Sequence, residues 1–418
     1  GIPGPAMIAV IPDASATPND PILAADQTIG GIQILSGGIL NLNGKTITLA
    51  GYNYNGWEDQ SGLSDYAGST VIFTNTTVGA PPVITPIPIS GVPDFNNLTI
   101  NAGTNVTANI DSHISISGTF TNNGTFDASS FSNTVEYNGA DQTVVTPVDN
   151  KYYNLTLSGS GTKTLPATLT VLNDFTLGGT ASVASGSTLT VLGDNFVNNT
   201  TGSIGGTVIL SGTNQQIVGG TAPATFSNLT INNVNGVMLG NNETVNGTLT
   251  LTNGVISTGD YTLTVGCSGS ISGADATKYI EGKLARVYCN ELTKDFPIGK
   301  GGYYRPMTLT YTENTSTTVT AEEFESAAIS GTLPVSTFLL SPERYWLVTE
   351  SETSGHTYNI TLDGTGYDVP EYPVILKTGA DPLNSYTATV TGNNYTASGL
   401  SGFSSFAIAS NCPAPTIK

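Results

Sequence analysis

The amino-acid sequence predicts an all-β fold, a β-solenoid (β-helix) followed by an immunoglobulin-like β-sandwich. Three observations lead to this prediction: the composition, a short strand phrase that recurs along the chain, and a change of pattern after residue 274. The 418 residues include 49 Gly and 22 Pro, in a chain rich in Thr, Ser and Asn. That composition disfavours long helices and suits short strands joined by turns. Because 38% of the residues are hydrophobic, the chain can bury a core rather than remain disordered.

The chain begins with a segment that lacks any periodic pattern. Residues 1–22 are rich in Pro, which predicts an extended N-terminal arm. Its apolar residues Met7, Ile8, Val10 and Ile11 are candidates for strand addition to the sheet of a neighbouring copy. A terminus docked on its own chain is the alternative.

Residues 23–273 form the predicted solenoid. Each recurring phrase alternates Leu or Val with Thr, which is typical of a strand with one apolar and one polar face. One such strand cannot bury its apolar side alone, whereas stacked coils can, and the spacing of roughly 14 to 22 residues fits one coil per repeat. An antiparallel sandwich of Thr-rich strands is the alternative. The phrases lie at 46–49, 168–171, 188–191, 248–251 and 262–265, and a second, aromatic-led phrase lies at 95–100, 152–157 and 226–231.

Two segments interrupt the repeats. Residues 51–67 are aromatic and acidic, and we interpret them as an insertion between coils. Its Tyr52, Tyr54 and Trp57 are candidates for an exposed aromatic contact with sugar rings or a protein partner, and packing under a loop is the alternative. Residues 80–94 are rich in Pro, which excludes central strands and predicts a connector.

The chain changes character after residue 274. Positive charges become frequent and the strand patterns become longer, which predicts a β-sandwich of immunoglobulin type over residues 274–410. Residues 321–327 are predicted as the one helix-like turn. The last residues, 411–418, contain two Pro and are predicted to form a linker or tail.

Three phrases give the chain a resemblance to a known group of proteins. They are Tyr-Asn-Leu-Thr-Leu at 153–157, Asn-Gly-Thr-Leu-Thr-Leu at 246–251 and Phe-Pro-Ile-Gly-Lys-Gly at 296–301. With these phrases the chain, over roughly residues 95–410, resembles large secreted surface proteins of the Bacteroidota–Chlorobi lineage. In those proteins β-helical repeats precede an immunoglobulin-like module, and many carry a type IX secretion signal. The resemblance implies export and a surface, adhesive or matrix role, and it transfers no catalytic residue.

The residues themselves predict no enzyme. A β-helix lyase needs a strong base beside calcium-binding acids, and a hydrolase needs facing carboxylates. The predicted solenoid has no Arg, its Lys residues are scattered, and its acids stand singly in turns. The two His residues, His113 and His356, are far apart, and no nucleophile motif accompanies them.

Cofactor and covalent sites are sparse. Asp363 and Asp368 flank a Gly-rich turn and are the candidate calcium ligands, although the turn matches no known calcium loop and an ordinary solvated turn is the alternative. No other cofactor is predicted. Cys267 and Cys289 are close enough in sequence to form a disulfide, which leaves Cys412 over.

Acceptor sequences for N-glycosylation are slightly more frequent than chance would give. The alternation Asn-Leu-Thr within strands explains much of this excess without any sugar. The candidates are Asn75, Asn97, Asn105, Asn123, Asn154, Asn198, Asn199, Asn228, Asn242, Asn246, Asn314, Asn359 and Asn394.

Charge and hydropathy limit the partners. Lys and Arg number 12 against 31 Asp and Glu, a formal net charge of −19, so nucleic acids and anionic membranes are excluded as expected partners. No stretch approaches the roughly 20 apolar residues of a membrane span, so insertion into a membrane is not predicted.

These observations together predict an extracellular or cell-surface structural protein that self-assembles into a filament, sheath or surface layer through strand addition and head-to-tail contacts between copies. The alternatives are a monomeric adhesin or glycan-binding stalk that contacts surface glycans, and a polysaccharide-active β-helix enzyme.

Overall fold

The computed structural model describes residues 3–13, 15, 20–50, 56–60, 66–74, 83–86, 94–325, 329–341, 343–352 and 355–411. These residues form an all-β protein in which a β-solenoid of about 12 turns is accompanied by antiparallel sheet and almost no helix. The chain divides into two compact units. The first comprises Gly1–Thr213 and Gly219–Ala224, and the second comprises Asn214–Val218 and Thr225–Lys418.

The strands of the first part of the chain are short. They are β1 (Ile8–Ile11), β2 (Gln27–Ile29), β3 (Gly31–Ile34), β4 (Thr46–Leu49), β5 (Trp57–Asp59), β6 (Thr70–Phe73), β7 (Val83–Pro86), β8 (Asp94–Phe95), β9 (Asn97–Ile100), β10 (Asn105–Ala108), β11 (His113–Ile116), β12 (Phe120–Asn122), β13 (Thr125–Asp127), β14 (Thr134–Tyr137), β15 (Gln142–Thr143), β16 (Lys151–Tyr152), β17 (Asn154–Leu157), β18 (Thr162–Thr164), β19 (Thr168–Val171), β20 (Phe175–Leu177), β21 (Ser182–Val183), β22 (Thr188–Val191), β23 (Asn195–Asn198) and β24 (Ser203–Leu210). A 3-10 turn, Val148–Asn150, precedes β16.

Longer strands become common in the rest of the chain. They are β25 (Gln216–Gly219), β26 (Thr225–Asn232), β27 (Val237–Leu239), β28 (Glu243–Val245), β29 (Thr248–Asn253), β30 (Ile256–Val265), β31 (Ser270–Ser272), β32 (Ile280–Tyr288), β33 (Thr293–Phe296), β34 (Ile298–Lys300), β35 (Tyr303–Tyr304), β36 (Met307–Tyr311), β37 (Thr317–Phe324), β38 (Thr337–Leu339), β39 (Tyr345–Glu350), β40 (Thr357–Asp363), β41 (Pro373–Lys377), β42 (Asn384–Thr387), β43 (Thr389–Thr391), β44 (Asn394–Ser401) and β45 (Ser405–Asn411).

The later coils of the first unit contribute three strands each, and these strands stack in parallel from coil to coil. In the coil β17–β18–β19, for example, each strand pairs in parallel with the corresponding strand of the next coil, β20, β21 and β22. Parallel pairing between successive coils satisfies the backbone hydrogen bonds of strands that are only two to four residues long. The predicted stacking of the repeats into a solenoid is therefore confirmed.

The repeated phrases stack on one another residue by residue. Leu169 lies beside Leu189, and Val171 beside Val191, so each apolar side chain covers its copy in the next coil. All four are buried, whereas the threonines between them are at most partly buried. The two-residue period of a strand thus separates an apolar interior from a polar exterior in every coil.

The insertion and the connector are both smaller than predicted. Trp57–Asp59 is strand β5 of the solenoid, paired in parallel with β3 and with β7. The prediction that 80–94 excludes central strands is wrong for Val83–Pro86, which lies between β5 and β10 as strand β7. The strand accommodates proline because Pro86 is its last residue.

The second unit begins with further solenoid coils and then changes its mode of pairing at β32. Strand β30 pairs in parallel with β32. The other edge of β32 pairs with two different strands: its N-terminal part is parallel to β34, and Leu284–Tyr288 is antiparallel to β37. One strand therefore joins the solenoid sheet to the antiparallel sheet, which explains why both fall in one compact unit.

Two antiparallel sheets follow. One has the order β33-β36-β40-β44-β43, and the other runs from β32 through β37, β39 and β45 to β41 and β42. Side chains from the two sheets meet, because the ring of Tyr288 on β32 lies edge-on, 5.0 Å from the ring of Tyr311 on β36. The helix-like turn predicted at 321–327 is wrong for its described part, because β37 alternates buried and half-buried residues as a strand does.

A disulfide links the ends of β30 and β32, where the pairing changes from parallel to antiparallel. Cys267 follows β30 and Cys289 follows β32, and since these parallel neighbours end side by side, the two cysteines meet with their Cα atoms 5.8 Å apart. They are bonded, as the sequence spacing suggested. The bond closes a loop with a sequence separation of 22 residues.

Replacing both cysteines, Cys267→Ala with Cys289→Ala, is expected to lower the free energy of unfolding by roughly 3 kcal/mol, because a loop of this length no longer restricts the unfolded chain. Urea unfolding of the full chain measures the change. Cys412→Ala is the matched control and should leave the free energy unchanged. An unaltered unfolding midpoint in the double variant would contradict the prediction.

Candidate assembly site at the first coil

The N-terminal strand docks on the first coil of its own chain. Ile8–Ile11 pairs in parallel with Gly31–Ile34, with Ile8 opposite Gly31 and Ile11 opposite Ile34. The backbone N–H of Gly30 donates to the carbonyl of Met7 at 2.8 Å. The prediction of an arm extended away from its own chain is therefore corrected for Met7, Ile8, Val10 and Ile11, since strand addition takes place within the chain.

Two glycines of the first coil form a seat for this strand. A Cβ atom on Gly30 would lie 2.7 Å from the carbonyl oxygen of Met7, and one on Gly38 would lie 2.7 Å from that of Ile11. Both distances are shorter than real carbon–oxygen contacts allow, so each position requires the absence of a side chain. The seat therefore holds both ends of β1 through shape as well as through hydrogen bonds.

Strand β1 presents apolar side chains on both of its faces. Ala9 and Ile11 are half-buried, whereas the side chains of Ile8 and Val10 are 48% and 52% exposed. The strand is the terminal one of its sheet, and Met7 and Ile11 direct their carbonyls towards β3. Because alternate residues of a parallel strand face opposite neighbours, the backbone groups of Ile8 and Val10 point to the open edge.

An apolar cavity of about 370 Å³ lies under β1, where the solenoid interior begins. No earlier coil covers this interior among the described residues, so the arm and the segment around Ile22 form its cover. Ile22 itself is 63% exposed. An exposed apolar edge beside an apolar cavity is typical of a surface that a further protein segment covers. The cavity is lined by Pro3, Ala9, Ile11, Pro21, Ile22, Leu23, Ala24, Ala25, Gln27, Ile29, Ile32, Leu40 and Ile47.

The predicted aromatic contact is not a surface site. Trp57 is fully buried in the solenoid interior, with its ring 5.4 Å from that of Tyr66 and 5.1 Å from that of Phe95. The alternation of the strand turns this side chain inwards, and the exposed role predicted for it is wrong. Tyr52 and Tyr54 lie outside the described residues.

The two candidate calcium ligands have different surroundings. Asp363 is buried, and its Oδ2 lies 3.6 Å from a terminal nitrogen of Arg305. Arg305 also donates from Nε to Glu325 at 2.7 Å, and Arg344 Nε lies 3.0 Å from the same oxygen. Asp368 is exposed. This arrangement neutralises Asp363 with arginine, and among the described residues no group of three or more His, Cys, Asp or Glu is placed to hold a metal ion.

Glu323 lies beside this charge cluster without a hydrogen bond. The side chain is fully buried, and neither carboxylate oxygen has a hydrogen-bond partner among the described residues. Burial, followed by repulsion from the Glu325 carboxylate, raises the pKa of Glu323 to about 8. No sequence pattern identifies this group, because its burial depends on how β37 packs.

The glycosylation candidates differ in how far their side chains are exposed, and Asn97, Asn228 and Asn359 are half-buried. Asn198 is fully buried, and its Nδ2 donates to the carbonyls of Thr200 at 2.8 Å and Pro223 at 2.9 Å, so a sugar on this nitrogen is incompatible with the fold. Asn154 also uses its amide between coils, donating to the carbonyl of Asn133. Asn75 lies outside the described residues. The exposed candidates, which stay predictions, are Asn105, Asn123, Asn199, Asn242, Asn246, Asn314 and Asn394.

Comparison of the chain with protein-family models, curated proteins and solved structures gives no match. Within the described part of the chain, no helix has the length and apolarity needed to cross a membrane. The interpretation of this site therefore depends on its own geometry.

Gly30→Ala is expected to loosen β1, because the added methyl group collides with the backbone of Met7. A contact this close costs about 1–2 kcal/mol, which should speed hydrogen exchange over residues 6–12 by roughly tenfold. Mass spectrometry after deuterium labelling measures the rate. Gly4→Ala is the control, because a Cβ at Gly4 meets nothing within 4 Å. Equal rates in the two variants would show that Gly30 is not part of a seat.

Glu323→Gln is expected to change how stability depends on pH. The folded protein retains the Glu323 proton up to a pKa of about 8, whereas the unfolded chain releases it near 4.5, so wild-type stability falls as pH rises between these values. The fall is about 1.4 kcal/mol per pH unit at most. The uncharged amide removes this dependence, so the variant should gain stability over wild type from pH 5 to pH 8.

Urea unfolding at pH 5, 6.5 and 8 measures this difference. The exposed Glu352→Gln serves as the matched control and should follow the wild-type profile. A constant difference between Glu323→Gln and wild type across this range would contradict a raised pKa at Glu323.

Proposed function

We propose that this chain is an extracellular structural protein whose copies self-assemble into a filament, sheath or surface layer through the N-terminal strand and its seat. The observation that supports this proposal is the pairing of Ile8–Ile11 with Gly31–Ile34 at the open end of the solenoid. The strand is peripheral, apolar and joined to the first coil only by the segment 12–21, so the same pairing can be made with a neighbouring copy.

Exchange of β1 between copies gives the mechanism. A segment as long as 12–21 spans up to roughly 35 Å when extended, which is enough to reach the first coil of an adjacent molecule. Every contact seen within one chain is then made again between two chains, at little net cost in contact energy. Strand β1 of one copy fills the seat of a second copy, and β1 of that second copy can then fill the seat of a third. The contact is therefore heterologous, and the assembly is open-ended.

Other features support an extracellular site of action. The disulfide between Cys267 and Cys289 is typical of proteins that fold in oxidising compartments. A net charge of −19 with only 10% charged residues leaves a surface of threonine, serine and asparagine, which suits a secreted matrix. We further propose that the two antiparallel sheets of the second unit form an immunoglobulin-like sandwich that projects from the solenoid sheet.

The alternatives have weaker support. The adhesin interpretation relied on an exposed aromatic contact, and the described member of that set, Trp57, is buried. For an enzyme, the acids of the first unit would need to face one another. Asp127 instead accepts hydrogen bonds from the backbone N–H groups of Ser129 and Ser130, which is a turn-forming role. We therefore propose a non-enzymatic role.

A cysteine pair placed across the seat tests the exchange directly. Val10 lies opposite Gln33, on the outer face of the sheet, and neighbouring strands are close enough there for a disulfide. Val10→Cys with Gln33→Cys, in a Cys412→Ser background, should form covalent dimers, trimers and longer chains when assemblies are oxidised. The products are resolved on a non-reducing gel, and electron microscopy shows the assemblies themselves.

Controls separate the mechanism from the function. Val10→Cys alone should give no covalent chains, and oxidation before assembly should lock β1 within its own chain and prevent polymer formation until reductant is added. Assemblies that give only monomers on the gel would overturn strand exchange. If ordered polymers are never seen by electron microscopy, the structural function itself is wrong.

A further inference from the structure

A polar groove lies in the second unit. Its volume is about 480 Å³, and it runs between the segment 268–274, which contains β31, and the antiparallel strands β33 and β36. The wall formed by 268–274 carries the hydroxyl groups of Ser268 and Ser270, and the wall formed by β33 and β36 carries those of Thr293 and Thr308. The groove is therefore lined mainly by groups that form hydrogen bonds, unlike the apolar cavity under β1.

A buried arginine connects the two walls of this groove. Arg286 is 5% exposed, and its two terminal nitrogens donate to the carbonyl of Asp295 at 2.7 Å and to that of Gly269 at 3.2 Å. Its Nε has no hydrogen-bond partner among the described residues. Arg286 therefore fixes the two walls of the groove relative to each other, while its buried Nε is not a donor that a ligand in the groove can reach.

Lys294 and Asp295 add a fixed cation and an exposed acceptor. Lys294 is buried, and its Nζ contacts the carbonyl of Cys267 at 3.2 Å and Glu291 Oε2 at 2.5 Å. The Asp295 carboxylate is held in place by Thr308, whose hydroxyl donates to it at 2.7 Å. With Arg286 these side chains place two cations and two carboxylates around the groove, so its formal charges balance.

One aromatic ring completes the lining. Tyr304 is half-buried in the groove wall, and its ring is supported by the ring of Tyr279 at a centroid distance of 5.9 Å. A supported ring offers an apolar face beside the polar groups. Rigid donors, rigid acceptors and a single ring face are the combination that orients a small polar ligand.

We propose that this groove binds a neutral sugar residue of a polysaccharide. Each sugar hydroxyl both donates and accepts, so it pairs with the exposed Asp295 carboxylate and with the hydroxyl groups of the two walls, and the C–H face of the ring fits an aromatic surface. A polyanionic chain is disfavoured because the groove is balanced in charge and the whole protein carries −19. This inference is independent of self-assembly, since none of its residues lies at the first coil.

Titration calorimetry of the full chain with soluble hexasaccharides tests the proposal. The probes are the neutral gluco-, manno-, xylo- and N-acetylchito-hexaoses and the acidic hexagalacturonate. At least one neutral probe should bind, and Asp295→Ala should weaken it by tenfold or more, because one charged hydrogen bond is lost. Thr293→Tyr, an exposed position in the wall, should block the groove sterically and weaken the same probe at least as much.

Asp260→Ala is the matched control. Asp260 is also exposed in the second unit, and it lies outside the groove, so this variant should bind like wild type. Urea unfolding of each variant should match wild type. The proposal is overturned if no neutral probe binds, if only hexagalacturonate binds, or if Asp260→Ala weakens binding as much as Asp295→Ala.

Discussion

Backbone pairing between successive coils is the interaction on which the rest of this structure depends. A strand of three or four residues has too little apolar surface to be stable by itself, and its N–H and C=O groups need partners on both edges. Each coil obtains apolar contacts and backbone hydrogen-bond partners from its neighbours, as the pairing of Leu169 with Leu189 shows. The same requirement creates a difficulty at the first coil, because no preceding coil covers its outer edge and interior among the described residues.

The N-terminal strand resolves that difficulty only in part. It supplies one strand where a complete coil would supply three, so one sheet is extended while an apolar cavity remains beneath Ala9 and Ile11. The new outer edge is again apolar, with Ile8 and Val10 exposed. Edges of this kind are usually protected by charge, proline or a covering element. Among the described residues none of these features protects β1, and the proposed role in association rests on this edge.

The second unit meets the same requirement differently. There the final solenoid strand, β32, pairs with an antiparallel strand, so the stack ends in a sheet that needs no further coil. The basic residues that distinguish this half of the sequence are largely internal: Arg286 bridges two walls, and Arg305 and Arg344 share Glu325. Their charge is used in hydrogen bonds and ion pairs within the unit.

The sequence alone determined short strands with one apolar face and favoured the stacked solenoid over a sandwich, because the length of the repeat fits one coil that buries its apolar face on the next. It also indicated the pairing of Cys267 with Cys289. Only the tertiary structure decided which polar residues are internal. In the sequence, Lys163 is one of a few scattered lysines with no sign of a buried position. In the structure it is buried, and its ammonium group donates to the carbonyls of Gly139 and Ala140. Likewise the direction of Trp57 and the docking of β1 depend on neighbours distant in sequence, and local periodicity holds no information about them.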